Sequence, residues 1–214
     1  MDGSTTMERV LVAQFAKWPE AGKVKTRIAK TVGNEKALEI HLELLQMVME
    51  NLSSVENTCF EFWLSEDGFR NKGCDESVLS LIEKYDVKYK IQVGATLGER
   101  MANTLQASLV NFSKVIIVGS DCPNVTENTI QAACLALDNS DLVFQPAEDG
   151  GYVLVGASQF DPKVFQGVKW GQGQVLQQTL GNIDLGQLTY SLLEESWDVD
   201  EYEDYLRWKS LSSQ

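Results

Sequence analysis

Three apolar runs constrain this chain more than any other feature: Val10-Leu11-Val12-Ala13-Gln14-Phe15-Ala16, Val115-Ile116-Ile117-Val118 and Leu142-Val143-Phe144. Runs this short and this apolar read as buried strands. Segments of helical spacing alternate with them. Asn34 can cap a helix over Lys36 to Leu52, where Leu38, His41, Leu42, Leu45, Val48, Met49 and Leu52 recur at that spacing. Asp75 to Tyr85, Gly98 to about Asn111, Thr126 to Leu137 and Gln174 to Leu180 also read as helices, and a last one follows Asp198-Val199-Asp200. Further strands are expected at Thr58 to Leu64, Val87 to Val93, Tyr152 to Gly156 and Leu188 to Leu193. The pattern predicts an α/β fold, a Rossmann-like mixed sheet with helices on both faces. A single domain is expected over residues 8–209, with 1–7 as a flexible leader.

The formal net charge is −13, from 31 acidic against 18 basic residues. A field of that sign repels a phosphate backbone, so sequence-independent nucleic-acid binding is excluded. Any nucleotide would need a local basic cluster, and Lys17, Lys23, Lys25 and Arg27 supply one. Cys59, Cys74, Cys122 and Cys134 show no metal-ligand spacing, and His41, the sole histidine, sits in a helical pattern. The start lacks a signal-peptide pattern and no apolar stretch is long enough to span a bilayer, so a cytoplasmic location without membrane insertion is expected. Exposed Trp or Phe could make a dimer surface, which leaves a homodimer open.

Three loops carry chemistry. The segment from Ala16 to Arg27 combines Pro19 and Gly22, which allow a tight turn, with four cations, and so suits a diphosphate or triphosphate. It is equally readable as a solvated basic loop. In Gly119-Ser120-Asp121-Cys122-Pro123 the aspartate emerges where a buried strand ends. One carboxylate there is enough for Mg²⁺ or Mn²⁺, although a turn or helix cap would use the same residue. In Glu148-Asp149-Gly150-Gly151-Tyr152 a hairpin explains the glycines but not two adjacent acids. Those acids could serve as metal ligand, base or acceptor contact. A fourth segment, Gly98-Glu99-Arg100, opens a helix whose N-terminus favours anions.

As an ordered set, these segments resemble the predicted A-type glycosyltransferases related to cofC-type guanylyltransferases, a family also known as a domain of unknown function or as radical-SAM-associated transferases. Trp170-Gly171 and Asp198-Val199-Asp200 also match, and the resemblance spans roughly residues 8–206. It implies a nucleotide-diphospho-sugar transferase fold. By position, Lys17, Gly22, Lys23, Lys25, Thr26 and Arg27, with Glu99 and Arg100, would contact nucleotide and phosphate. Asp121 would hold the metal, Glu148 and Asp149 would be catalytic, and Gly150, Gly151, Tyr152 and Trp170 would face the acceptor. The implied activity is glycosyl transfer from a nucleoside diphosphate sugar to a small acceptor. Nucleotidyl transfer to a phosphorylated small molecule, or nucleotide binding without turnover, are the alternatives. One departure stands out: Gln172-Gly173-Gln174-Val175 replaces the family's usual Thr and acidic or small polar residue.

Overall fold

The computed structural model describes residues 9–65 and 76–211. Seven strands form one sheet: β1 (Val10–Ala16), β2 (Thr58–Leu64), β3 (Lys88–Ile91), β4 (Lys114–Gly119), β5 (Leu142–Pro146), β6 (Tyr152–Ala157) and β7 (Tyr190–Leu192). Their spatial order is β3-β2-β1-β4-β6-β5-β7. β1 pairs in parallel with β2 and β4, and β5 with β7, while β6 runs antiparallel between β4 and β5. The C-terminal ends of β1, β4 and β5 therefore open on the same edge of the sheet. The β5–β6 connection is a hairpin, with a register shift at Gln145/Pro146.

Seven α-helices complete the described fold: α1 (Thr26–Val32), α2 (Asn34–Leu52), α3 (Glu76–Lys84), α4 (Leu97–Ser108), α5 (Glu127–Ala136), α6 (Val175–Asp184) and α7 (Tyr202–Leu211). A 3₁₀ turn covers Pro162–Phe165. Alternation along β1 shows why helices lie on both faces. Val10 and Val12 pack with Ile116, Val118, Val48 and Ile130, whereas Leu11, Ala13 and Phe15 pack on the other side with Val115, Ile117, Met101 and Leu105. Full burial of each large side chain contributes about 1.5–3 kcal/mol.

The departures from expectation are local. The basic loop was expected to run through Arg27, but Thr26 and Arg27 already belong to α1, because Ile28, Ala29 and Val32 join Ile40, Trp197 and Trp208 in a satellite core. Gly33, at φ +84°, occupies the cap of α2, and Asn34 is its first helical residue rather than its cap. The strand expected over Val87 to Val93 is only Lys88–Ile91, an edge strand largely exposed along its length. The leader, Glu8, Cys74 and Asp75 lie outside the described residues. No helix among the described residues is long and apolar enough to cross a membrane.

Candidate functional site

The C-terminal edge of the sheet is held by buried side chains. Gln14, fully buried on β1, donates to the Leu45 carbonyl (3.0 Å) and to Ser120 Oγ (3.1 Å), and Ser120 in turn donates to the Phe15 carbonyl (2.8 Å). These bonds fix the turn after β4 against β1, and with it Asp121. Gln92 bridges the carbonyls of Ala16 and Trp63, closing the β1–β2 side.

Lys25 reaches the same point from the other direction. Its backbone is left-handed, at φ 47° and ψ 43°, a conformation disfavoured for a side chain of this size. The buried ammonium donates to Asp121 Oδ2 at 2.7 Å and to the Val199 carbonyl at 2.5 Å. The Val199 N–H donates to the Asp121 carbonyl at 2.9 Å. A lysine after β1, an aspartate after β4 and the segment before α7 thus meet at one place.

The burial of Asp121 is divided between its two oxygens. Its side chain is 37% exposed, yet Oδ1 is buried without a hydrogen-bond partner. Burial alone would raise its pKa, but Lys25, then His41 and Lys17, outweigh that and hold it below the usual carboxylate value. His41 Nδ1, also without a partner, lies 3.9 Å from that Oδ1, while Nε2 faces the Lys17 carbonyl at 3.2 Å. Burial lowers the His41 pKa. A neutral ring donating through Nε2 leaves two bare acceptors, His41 Nδ1 and Asp121 Oδ1, facing each other.

Asp121 lies on the wall shared by two cavities. One, of about 300 Å³, is lined by Lys17, Lys25, Thr26, His41, Gln92 and Arg100, with Asp200 as a second carboxylate beside Asp121. The other, of about 230 Å³, has Asp149 and Asp198 beside Asp121, with Met101, Tyr152, Val155, Trp170 and Val175 among its walls. Trp170 extends an aromatic row through Tyr152 to Phe144. Its indole lies so close to Gly98 that an added Cβ there would stand 2.7 Å away, which explains the glycine at the start of α4.

The expected residues separate accordingly. Lys17, Lys25, Thr26 and Arg100 line the cationic chamber, and Gly151, Tyr152, Trp170 and Asp149 line the acidic one. Gly22, at φ +79°, and Lys23 form the turn ahead of Lys25 and line neither chamber. Arg27 lines neither chamber either: it pairs with Asp200 (2.8 Å) and Glu201 (3.3 Å) ahead of α7. Glu99 accepts from the Ala95 N–H (2.8 Å) and lines neither chamber, so its role here is to stabilise the first turn of α4. Glu148 points to α7, accepting both amino groups of Arg207 at 2.9–3.1 Å, and is likewise absent from both linings. Asp149 Oδ1 accepts from the Gly151 N–H at 2.8 Å.

Two residues left out of the expected set line the same cavities, His41 the first and Asp198 the second. His41 was visible only as a lone histidine on a helix. Asp198 lay in a matching tripeptide, but nothing local to the sequence shows that α7 returns to β4. Burial, then the carboxylates of Asp149 and Asp121, push Asp198 up to about 6. Among the described residues no three His, Cys, Asp or Glu side chains form a preassembled metal cage. A hard divalent cation needs only one or two protein carboxylates, however, and Asp121 and Asp198, which line the same cavity, match that number and donor type.

A stability prediction follows for the metal-free protein. Asp198 binds its proton more tightly folded, at about 6, than at its ordinary 3.8. It therefore has no destabilising effect below the lower value, and one that grows with rising pH until it is complete above the upper value. Asp198→Asn removes that effect and raises stability by about 1–2 kcal/mol near pH ~7.5, allowing for partial solvent screening, with no gain below pH ~4. Urea titrations of both proteins across this pH range measure it.

No curated protein matches the chain. A crystal structure of a Desulfovibrio desulfuricans G20 protein, assigned as a nucleotide-diphospho-sugar transferase, superposes with a TM-score of 0.79 at 29% identity, covering 91% of this chain and 84% of that one. A nucleotidyl transferase from Methanothermobacter gives 0.65 at 14%, covering 98% and 100%. The 4-diphosphocytidyl-2C-methyl-D-erythritol synthase of Anaerococcus prevotii gives 0.62 at 12%, covering 97% of both chains. The last two share the fold alone. The mixed seven-stranded sheet is thus the nucleotide-diphospho-sugar transferase fold expected from the sequence. The family described as "Uncharacterized protein conserved in bacteria (DUF2064)" matches residues 54–172, more than half of the chain, and the chain belongs to that family.

Proposed function

We propose that this protein is a transferase using a nucleotide-activated donor, with glycosyl transfer from a nucleoside diphosphate sugar to a small acceptor as the reaction. One observation carries the reading: Asp121, ion-paired with Lys25, stands between a chamber that holds Lys17, Lys25 and Arg100 beside Asp200 and a chamber whose charged residues are all carboxylates. Donor phosphates suit the first and an acceptor hydroxyl suits the second. The name given to the Desulfovibrio protein supports the same class.

Asp121 and Asp198 would hold Mg²⁺ or Mn²⁺, which when bound neutralises charge on the diphosphate. Lys17 and Lys25 bind and orient the donor phosphates, and Lys25 meets the negative charge left as the sugar–oxygen bond breaks. Asp149, its Oδ1 fixed by the Gly151 N–H, accepts the proton of the acceptor hydroxyl as that oxygen bonds to the sugar. Phe15, Leu97 and Trp170 exclude water from the acidic chamber.

Nucleotidyl transfer is the second reading, because the same cations and Asp121 suit attack at an α-phosphate, and the Methanothermobacter neighbour carries that name. Product analysis separates the two. Release of a nucleoside diphosphate from a sugar nucleotide supports glycosyl transfer, whereas pyrophosphate release from a nucleoside triphosphate supports the second reading. The two acids of the β5–β6 loop also separate. Asp149→Asn lowers kcat by about 10²–10³. Glu148→Gln leaves kcat within about threefold and costs less than ~1 kcal/mol of stability, because its pair with Arg207 is exposed. Steady-state kinetics and melting of both variants check this.

A further inference from the structure

The acidic chamber constrains the molecule that fills it. Among the described residues its wall holds three carboxylates, Asp121, Asp149 and Asp198, and no lysine or arginine. The cations of this region, Lys17, Lys25 and Arg100, line the neighbouring chamber. The remaining wall is mostly apolar, with the aromatic faces of Tyr152 and Trp170. At about 230 Å³ the space fits a body of about one ring.

We infer that the acceptor is a ring-sized, hydroxyl-bearing molecule that is neutral or carries an amine, and that phosphorylated acceptors are rejected. The inference rests on the transferase reading above and names its second substrate. A phosphate in this chamber would lose its hydration while facing carboxylates, with no side-chain cation to replace the lost water. With a divalent cation on Asp121 and Asp198 its charge is taken up by those carboxylates and the donor diphosphate, so Asp149 still faces the acceptor uncompensated. An amine gains from Asp149, and an apolar ring face gains from Trp170. The chamber thus disfavours the phosphorylated acceptor of the second reading.

Matched probes test this on the full chain, with Mg²⁺ and saturating nucleoside diphosphate. One series is methyl β-D-glucoside, glucosamine and glucose 6-phosphate; the other is benzyl alcohol, benzylamine and benzyl phosphate. Binding is read by saturation-transfer NMR titration. The neutral and amine members of at least one series bind, and the phosphate member of that series binds at least tenfold more weakly, as expected for an uncompensated anion beside fixed carboxylates. Gln172→Lys places a cation on the exposed wall of the chamber. It narrows the affinity gap between the neutral and phosphate members of that series about tenfold. Equal or tighter binding of the phosphate member to wild type overturns the inference, as does binding of no neutral or amine probe. The nucleotide's own thermal shift, recorded on the same samples, distinguishes the two failures. If the shift is present, only the acceptor inference fails; if it is absent, the donor reading fails and takes this inference with it.

Discussion

Asp121→Ala abolishes metal-dependent stabilisation by nucleotide and lowers turnover by about three orders of magnitude. The carboxylate is the point where both chambers, Lys25 and the Val199 segment meet. Alanine also strips the buried Lys25 ammonium of its counter-charge. Breaking such a pair from one side typically costs about 3–5 kcal/mol. Asp121→Asn separates chemistry from folding, because its amide oxygen still accepts from Lys25 while the charge is gone. The asparagine protein keeps the hydrogen bond and so melts above the alanine protein, yet it too shows no Mg²⁺-dependent shift with any nucleotide. A thermal-shift panel of nucleoside diphosphates and triphosphates, with and without the metal, measures both variants. A normal metal-dependent shift in Asp121→Asn would remove Asp121 from the donor site.

The second large effect comes from a residue with no chemistry of its own. Gly150 sits at φ +83°, and a Cβ built on it would lie 2.2 Å from the Gly173 carbonyl oxygen and 2.8 Å from its carbon. Backbone cannot swing aside like the end of a long side chain, so Gly150→Ala forces the β5–β6 loop or the 171–174 segment to move. The left-handed conformation alone costs an alanine about 1 kcal/mol. With the clash, a loss of about 2–4 kcal/mol is expected. Gly150 O also accepts from the Leu176 N–H, so the start of α6 shifts with it. Asp149 is displaced, and kcat falls about a hundredfold while the donor KM stays within about threefold. Gly173→Ala is the milder control, since its nearest contact is the Asp149 carbonyl oxygen at 3.3 Å. Urea melts and initial-rate kinetics read both effects.

The segment that departs from the family pattern lies at that contact. Gln172 and Gly171 line the acidic chamber, and the Gly173 carbonyl packs on Gly150.

The fold was legible because its cause is local. Val10–Ala16 and Val115–Val118 are apolar at nearly every position, and only a strand buried on both faces asks for that. Asp121 was legible for a similar reason, since a carboxylate directly after such a strand must emerge at the sheet edge. α1 was not, because its seven residues gain their stability from Trp197 and Trp208, over 150 positions away. Separation along the chain, 173 positions for Arg27–Asp200 and 59 for Glu148–Arg207, also hid the ion pairs of Arg27 and Glu148 with the α7 region. His41 and Asp198 enter the site through long-range contacts with Asp121, which no spacing rule reports.

Crystals grown with Mn²⁺ and a nucleoside diphosphate test the two-chamber account most directly, through anomalous scattering at the manganese edge. The account predicts one strong anomalous peak within coordination distance of Asp121, with the diphosphate beside Lys25 and Lys17. A nucleotide bound with its phosphates away from Lys25, or a manganese peak away from Asp121, would contradict it.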